Sequence, residues 1–248
     1  MIGTGGRPAT IPEATYEAPY GNTLVGTYAM AARRHMHEYG TTSEQLAEIA
    51  VITRRHAMLN PLAMYREPIT VQDVLNSRMI ADPPHLLDCC VVSDGGGAVL
   101  VTTEERARDL KQKPVFVLES SESHTHAHIS QMPDMTVTAA AITAPRAFAE
   151  AGISPSDIDM AMIYDSFTIT VLLLLEDLGF CKKGEGSLRA GGTHRFGRTI
   201  TRQYRWGRAI IQPSRHARYL SDYRGYTPVA RPMRTSSGGR SETGGSSW

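Results

Sequence analysis

Three consecutive residues carry the most chemistry in this chain: Tyr164, Asp165 and Ser166, a phenol, a carboxylate and a hydroxyl. They lie within the stretch 159–180, DMAMIYDSFTITVLLLLEDLGF. Residues 159–163 have the composition of a short strand, and 167–179 form an apolar run that closes on Glu176, Asp177 and a stopping Gly179. The trio therefore falls where a strand hands over to a helix. Open α/β sheets put their chemistry at such junctions, because helix N–H groups and strand-end side chains converge there. A plainer reading stands beside the catalytic one: Asp165 or Ser166 caps the helix. Spacing alone favours the cap.

Two other clusters invite a chemical role. Cys89 and Cys90 lie in LLDCCVVSDGGGAVL, residues 86–100, read as two β-rich pieces around a glycine-rich centre. Small apolar cysteines in a strand are more often buried than reactive, and no basic residue stands nearby to lower a thiol pKa. The glycines lack the Gly-x-x-x-x-Gly-Lys pattern of a phosphate loop, so close backbone approach or a bulge explains them better. His124, His126 and His128 alternate in SSESHTHAHISQMPDM, which would put three imidazoles on one face of an extended segment. No carboxylate or cysteine is placed to complete a metal set, and neither CxxC nor HExxH occurs.

The elements that must position these residues read as follows. After a loop over 1–21, Leu24, Tyr28, Ala31, Ala32, His35 and Tyr39 make a helical stripe over 22–39 that Gly40 ends. Thr42 or Ser43 caps a second helix through Leu46, Ile49 and Ile52. Residues 68–70 open a third, VQDVLNSRMI. A short helix over 104–110, a strand over 114–120 and a helix over 136–152 lead back to the junction. Strand and helix alternating between glycine-bounded joints argues for an α/β fold.

Composition narrows the class. The chain has 248 residues, 41% of them hydrophobic, and its longest apolar run, 169–175, is too short for a membrane span. The N-terminus has no signal-peptide core, and three cysteines, two of them adjacent, fit a reducing cytoplasm rather than a disulfide framework. The net charge of +1 conceals a split. Residues 1–186 hold 14 Lys and Arg against 23 acids; residues 187–248 hold 12 Arg, no Lys and 2 acids.

IYDSFT, a leucine-rich helix and LEDLGFCKKGEG together resemble the thiolase superfamily, in the branch of the sterol-carrier-protein-x thiolases and acetyl-CoA acetyltransferases. The resemblance runs from about Tyr16 to Gly186. It implies an α-β-α-β-α sandwich of two similar halves. Residues 1–113 would be the rear of the first half and 114–186 the front of the second. In that family the tetrapeptide at Tyr164–Phe167 is often HDCF or NEAF and helps build the oxyanion pocket over an acyl thioester. The resemblance thus assigns Tyr164, Asp165 and Ser166 to that pocket, with Phe167, His124, His126 and His128 as substrate contacts. It implies acyl-CoA as substrate, coenzyme A as co-substrate and no permanently bound cofactor. The family forms homodimers, often beside a small OB-fold, zinc-ribbon partner protein. Retro-aldol lyase chemistry is the near alternative, since Tyr164 stands where the family usually has His.

The resemblance also implies an acylated cysteine upstream and a VNTxGG…HP-type segment downstream, and nothing here maps onto either. Residues 187–248 read instead like an out-of-frame translation of GC-rich DNA. Codons can be chosen for 199–248 so that reading one base later gives a peptide containing NTDGG and HPG. Such a tail lacks the apolar pattern that offsets chain entropy, so disorder is expected. A reading from another class is an Arg-tailed module, with Tyr204, Trp206, Tyr219, Tyr223 and Tyr226 interleaved for stacking on nucleic acid. The frame reading disfavours it, and neither nucleic acid nor membrane is expected as a partner.

Overall fold

A run of side chains apolar on every face needs neighbours on every face, and the segment after Ser166 obtains them. In the computed structural model, which describes residues 14–21, 23–92, 97–158, 161–186 and the backbone of 208–211, this segment is a helix, Thr168–Asp177 (α7). Ile169, Leu172 and Leu175 are fully buried, with Val171 and Leu173 beside them. Each such side chain contributes about 1.5–3 kcal/mol relative to exposure. Around α7 pack Leu24–Tyr39 (α2), Ser43–Met58 (α3), Ala140–Ala151 (α6) and the strand Ala161–Tyr164 (β1). Ala32, Leu46, Ile49, Ile163 and Phe167 complete the main core. Val71–Asn76 (α4) closes a smaller cluster with α3 through Val74, Ala47, Ala50 and Val51. Two short helices, Ala14–Glu17 (α1) and Glu104–Arg108 (α5), lie outside both clusters.

The helix ends follow local rules. The Thr23 hydroxyl accepts from the Gly26 N–H at 3.1 Å to start α2, and Gly40 ends it at φ 70°, where a Cβ would be strained. Thr42 and Gln45 form a reciprocal capping box at α3, and Thr70 and Asp73 another at α4.

Several sequence expectations are corrected. The helix expected from 71 onward stops at Asn76, because the backbone turns extended at Ser77. The helix expected from 136 begins at Ala140; Thr136 is spent on Asp134, bonded through both its N–H and its hydroxyl at 2.7 Å. Asp165 and Ser166 do not cap α7: the N-cap is Phe167, with no side-chain capping bond. Neither 86–92 nor 97–100 forms a strand. Leu86–Asp88 is a single 3-10 turn, and only Cys89 makes an isolated antiparallel bridge, to Phe167. The segment 114–120 is likewise without a ladder, and Val115, Phe116, Val117 and Leu118 stay exposed. A strand exists only where a second backbone lies along it, and among the described residues none does so here. The sheet of the described residues is one antiparallel pair, β1 with Arg208–Ile211 (β2), in register Ala161 to Ile211 and Tyr164 to Arg208. β2 is a strand in a tail where none was expected; the rest of 187–248 lies outside the described residues.

Candidate functional site

The junction between β1 and α7 is held from both sides. Alternation along β1 turns Ile163 inward and leaves Tyr164 57% exposed. Ser166 is buried, and its hydroxyl pairs with the Thr170 hydroxyl one turn later at 2.8 Å. The Ser166 carbonyl accepts from the Cys90 N–H at 3.0 Å. Phe167 is 4% exposed, its ring 4.4 Å from that of Tyr28 between centroids. Thr168 donates its hydroxyl to Asp88 Oδ1 at 2.9 Å, while Asp88 Oδ2 accepts from the His85 N–H at 2.9 Å. Burial pushes the Asp88 carboxyl up, and the bonds from His85 and Thr168 only partly oppose it.

The junction stands between two spaces. On one side is a cavity of about 130 Å³, lined by Asp165, Thr168, Cys89, Cys90, Arg54 and Tyr65 among others. Arg54 lies over the Tyr65 ring at 5.6 Å and donates to the Glu67 carbonyl at 2.8 Å. On the other side is a groove of about 630 Å³. Its walls come from Tyr28 and Ala31 of α2, Thr170, Leu173 and Leu174 of α7, and the loop 123–132. Asp165 thus faces the small cavity, and Thr170, the partner of Ser166, faces the groove.

The three histidines all line the groove, but they do not converge. His124 is 82% exposed and lies 3.7 Å from Glu122. His126 pairs with the Thr125 hydroxyl at 2.8 Å. His128 is half-buried against Glu17 at 3.1 Å, and Glu17 also accepts from the Ser130 N–H at 2.8 Å, pinning α1 to the loop. Two carboxylates therefore lie beside these imidazoles, yet no group of three metal-ligating side chains gathers among the described residues.

The thiols are poorly suited to attack. Burial pushes the Cys89 thiol up to about 11, with the charge of Asp88 and the neighbouring Cys90 adding to it. Cys90 is raised as well, by burial and then by Asp165. A nucleophilic cysteine needs the opposite surroundings. Sequence reasoning missed Glu17, Tyr28, Thr170 and Asp88. Tyr28 left a signal as a member of the helical stripe of α2, and Thr170 pairs with Ser166 only one turn away; Glu17 and Asp88 acquire a role through contacts distant in sequence.

Residues 121–199 match the family model described as Thiolase C-terminal domain-like. The chain is 44% identical over 179 residues to an acetyl-CoA acetyltransferase of Methanothermobacter thermautotrophicus, covering 72% of this chain and 47% of that one. It is 43% identical over 193 residues to a steroid side-chain-cleaving aldolase of Thermomonospora curvata, covering 70% and 48%. A solved structure, the Ltp2-ChsH2(DUF35) aldolase, superposes with a TM-score of 0.69 at 39% identity, over 76% of this chain and 52% of that one. The chain spans about half the length of the curated relatives it matches. No helix of the described residues is long and apolar enough to cross a membrane. By its junction, its core helix and these relatives, the chain belongs to the thiolase superfamily, with an incomplete α/β thiolase-like fold.

Proposed function

We propose that the protein is of the acyl-CoA C-acyltransferase type, forming or cleaving a carbon–carbon bond beside a CoA thioester in lipid metabolism. The observation that carries this reading is the β1–α7 junction. Asp165 lines a small cavity, and Thr170, the partner of Ser166, lines an apolar groove large enough for an acyl group. In this reading residues 1–113 and 114–186 belong to the two halves of the family's sandwich. The groove holds the acyl part, the loop with His124, His126 and His128 touches the acyl-pantetheine arm, and coenzyme A is co-substrate. By analogy with the Ltp2-ChsH2(DUF35) aldolase it works with a DUF35-type protein; by the family resemblance it pairs with itself, and its cysteine usage fits the cytoplasm.

In this reading the chain as given is inactive, because no segment of it resembles the family's nucleophile region and Cys89 and Cys90, whose thiols burial pushes up, do not replace it. The Arg-rich tail is the same gene read one base out of register. A second reading, retro-aldol cleavage of an acyl-CoA, is favoured by the exposed phenol of Tyr164 at the strand end, a group able to move a proton. The His-Pro of the shifted frame tilts the choice toward acyl transfer. Sequencing the coding DNA upstream of Met1 and across residues 184–248, then assaying the protein with both segments restored, decides between them. Acetoacetyl-CoA cleaved only with free coenzyme A supports acyl transfer, and cleavage of a β-hydroxyacyl-CoA without it supports the lyase. A clean frame as given, or a restored protein inert toward both, defeats the proposal.

A further inference from the structure

Besides the loop 123–132 and Glu17 of α1, three elements wall the 630 Å³ groove: α2 with Leu24, Thr27, Tyr28 and Ala31, α7 with Thr170, Leu173 and Leu174, and the entry to α6 with Thr138 and Ala139. Beyond these wall residues the same three elements meet in a buried ionic cluster. His35, one turn after Ala31 on α2, is fully buried and lies 3.1 Å through Nε2 from Glu176 Oε2, with the Thr41 hydroxyl 2.8 Å from Nδ1. Glu176 Oε1 accepts from the N–H groups of Gly184 and Gly186 at 2.9 and 3.0 Å. Lys183 bonds Asp177 Oδ1 at 2.7 Å, reaches Glu176 at 3.4 Å, and donates to the Thr136 carbonyl. Asp177 Oδ2 accepts from the Thr138 N–H at 2.7 Å. The turn 182–186 is specified for this contact. A Cβ on Gly186 would lie 2.9 Å from Glu176 Oε1 and 3.0 Å from the Leu172 carbonyl, and Gly184 sits at φ +83° against Tyr39.

We infer that Glu176, acting with Lys183, is a positioning clamp that fixes the separation of the three groove walls and thereby the affinity of the groove for an apolar acyl chain. Buried ion clusters add little net stability compared with apolar packing, but they define one geometry, because every donor must find its acceptor. Apolar contacts alone would let α2 and α7 slide. Here His35 ties α2 to Glu176, Asp177 ties the entry of α6 to α7, and Lys183 couples the two carboxylates. The groups facing Glu176 are His35 from α2 and Lys183 from the turn, with Asp177 beside it on α7. Burial alone would raise the Glu176 carboxyl; the bond and charge of His35, the Gly186 N–H and Lys183 outweigh it and hold the group below its ordinary 4.5. The clamp is therefore complete above the ordinary glutamate range and is lost as pH falls through the depressed folded value.

The choice of ligand rests on the acyl-CoA reading; the clamp itself does not. The test uses the full chain as wild type, Glu176→Gln and Lys183→Met, with amide hydrogen exchange and calorimetric binding of dodecanoyl-CoA. With far-UV dichroism unchanged, Glu176→Gln is expected to speed exchange about tenfold at Gly184, Gly186 and also Thr138. The Thr138 N–H bonds Asp177, not Glu176, so its response reports coupling between walls. Dodecanoyl-CoA affinity is expected to fall about tenfold in parallel, and the wild-type acid loss of affinity to flatten in the variant. Acceleration confined to Gly184 and Gly186, with Thr138 at the wild-type rate, overturns the clamp. If Glu176→Gln unfolds, Lys183→Met carries the same test at Thr138. If the wild type binds no dodecanoyl-CoA, the acyl-CoA reading fails, and exchange at Thr138 alone decides the clamp.

Discussion

Replacing Leu172 by alanine tests whether α7 is the element around which the fold is built. Leu172 is fully buried, in one cluster with Ala32 of α2, Leu46 and Ile49 of α3 and Ile163 of β1. The truncation removes about 2 kcal/mol of transfer free energy. Four surrounding elements cannot all collapse inward, so a void on the order of 60 Å³ remains. At about 24 cal/mol per Å³ that void adds about 1.5 kcal/mol. The expected loss is about 3.5 kcal/mol, a large share of the stability of an ordinary domain. For a chain of this size it corresponds to a fall in Tm of about 7–14 °C. Urea unfolding followed by far-UV dichroism, with calorimetry for Tm, measures it. Leu100→Ala is the control, since Leu100 is 83% exposed and its loss should stay within about 0.5 kcal/mol. A Leu172→Ala cost below about 1 kcal/mol, or one equal to the control, would refute the assignment of α7 as the core.

Other predictions test the caps, the thiols and acid stability. Thr42→Ala breaks the capping box at α3 and should cost about 1 kcal/mol by urea midpoint, with Thr42→Ser close to wild type. With its thiol pushed up to about 11, Cys89 should stay unmodified by iodoacetamide at mildly alkaline pH and react once the chain is unfolded in urea, as peptide mass spectrometry will show. Burial, with Arg55 nearby, lowers His56 from 6.5 to about 4, so the unfolded chain binds its proton first as pH falls. Stability is then complete above 6.5 and declines toward pH 4; His56→Gln should flatten that decline. Because His56 is partly open to water, the slope amounts to about 1–2 kcal/mol.

Local rules were legible in the sequence, and distant contacts were not. Thr42 and Gly40 announce helix ends through bonds made within four residues, and α2, α3 and α7 follow from apolar spacing. The β1–α7 junction was legible too, but not its details: Ser166 spends its hydroxyl on Thr170, so Phe167 starts α7 without a side-chain cap. Strands were overread at 86–92, 97–100 and 114–120, because β-propensity reports a side chain suited to a sheet and says nothing of whether a neighbouring strand exists. Glu176 read as the polar end of a helix. Its partner His35 lies 141 residues away, and only the packing of α2 on α7 brings the two together. The groove is equally non-local, joining Glu17, Tyr28, His128 and Leu174.

The bare segments around Val99–Val101 and Val115–Leu118 have a consequence for how the polypeptide fares outside a dilute tube. Each is a short, uncharged, β-prone stretch facing water with no partner strand among the described residues, the kind of sequence that stacks with copies of itself. What restrains them is their flanks: Glu104 and Glu105 after the first, Lys111, Lys113 and Pro114 before the second, and Glu119 behind it. These residues act as gatekeepers, and neutralising Lys111 and Lys113 together would lower solubility without touching the core. Stretches of this kind are what holdase chaperones bind, so a loss of folding free energy is expected to lower the chain's abundance in a cell through that triage.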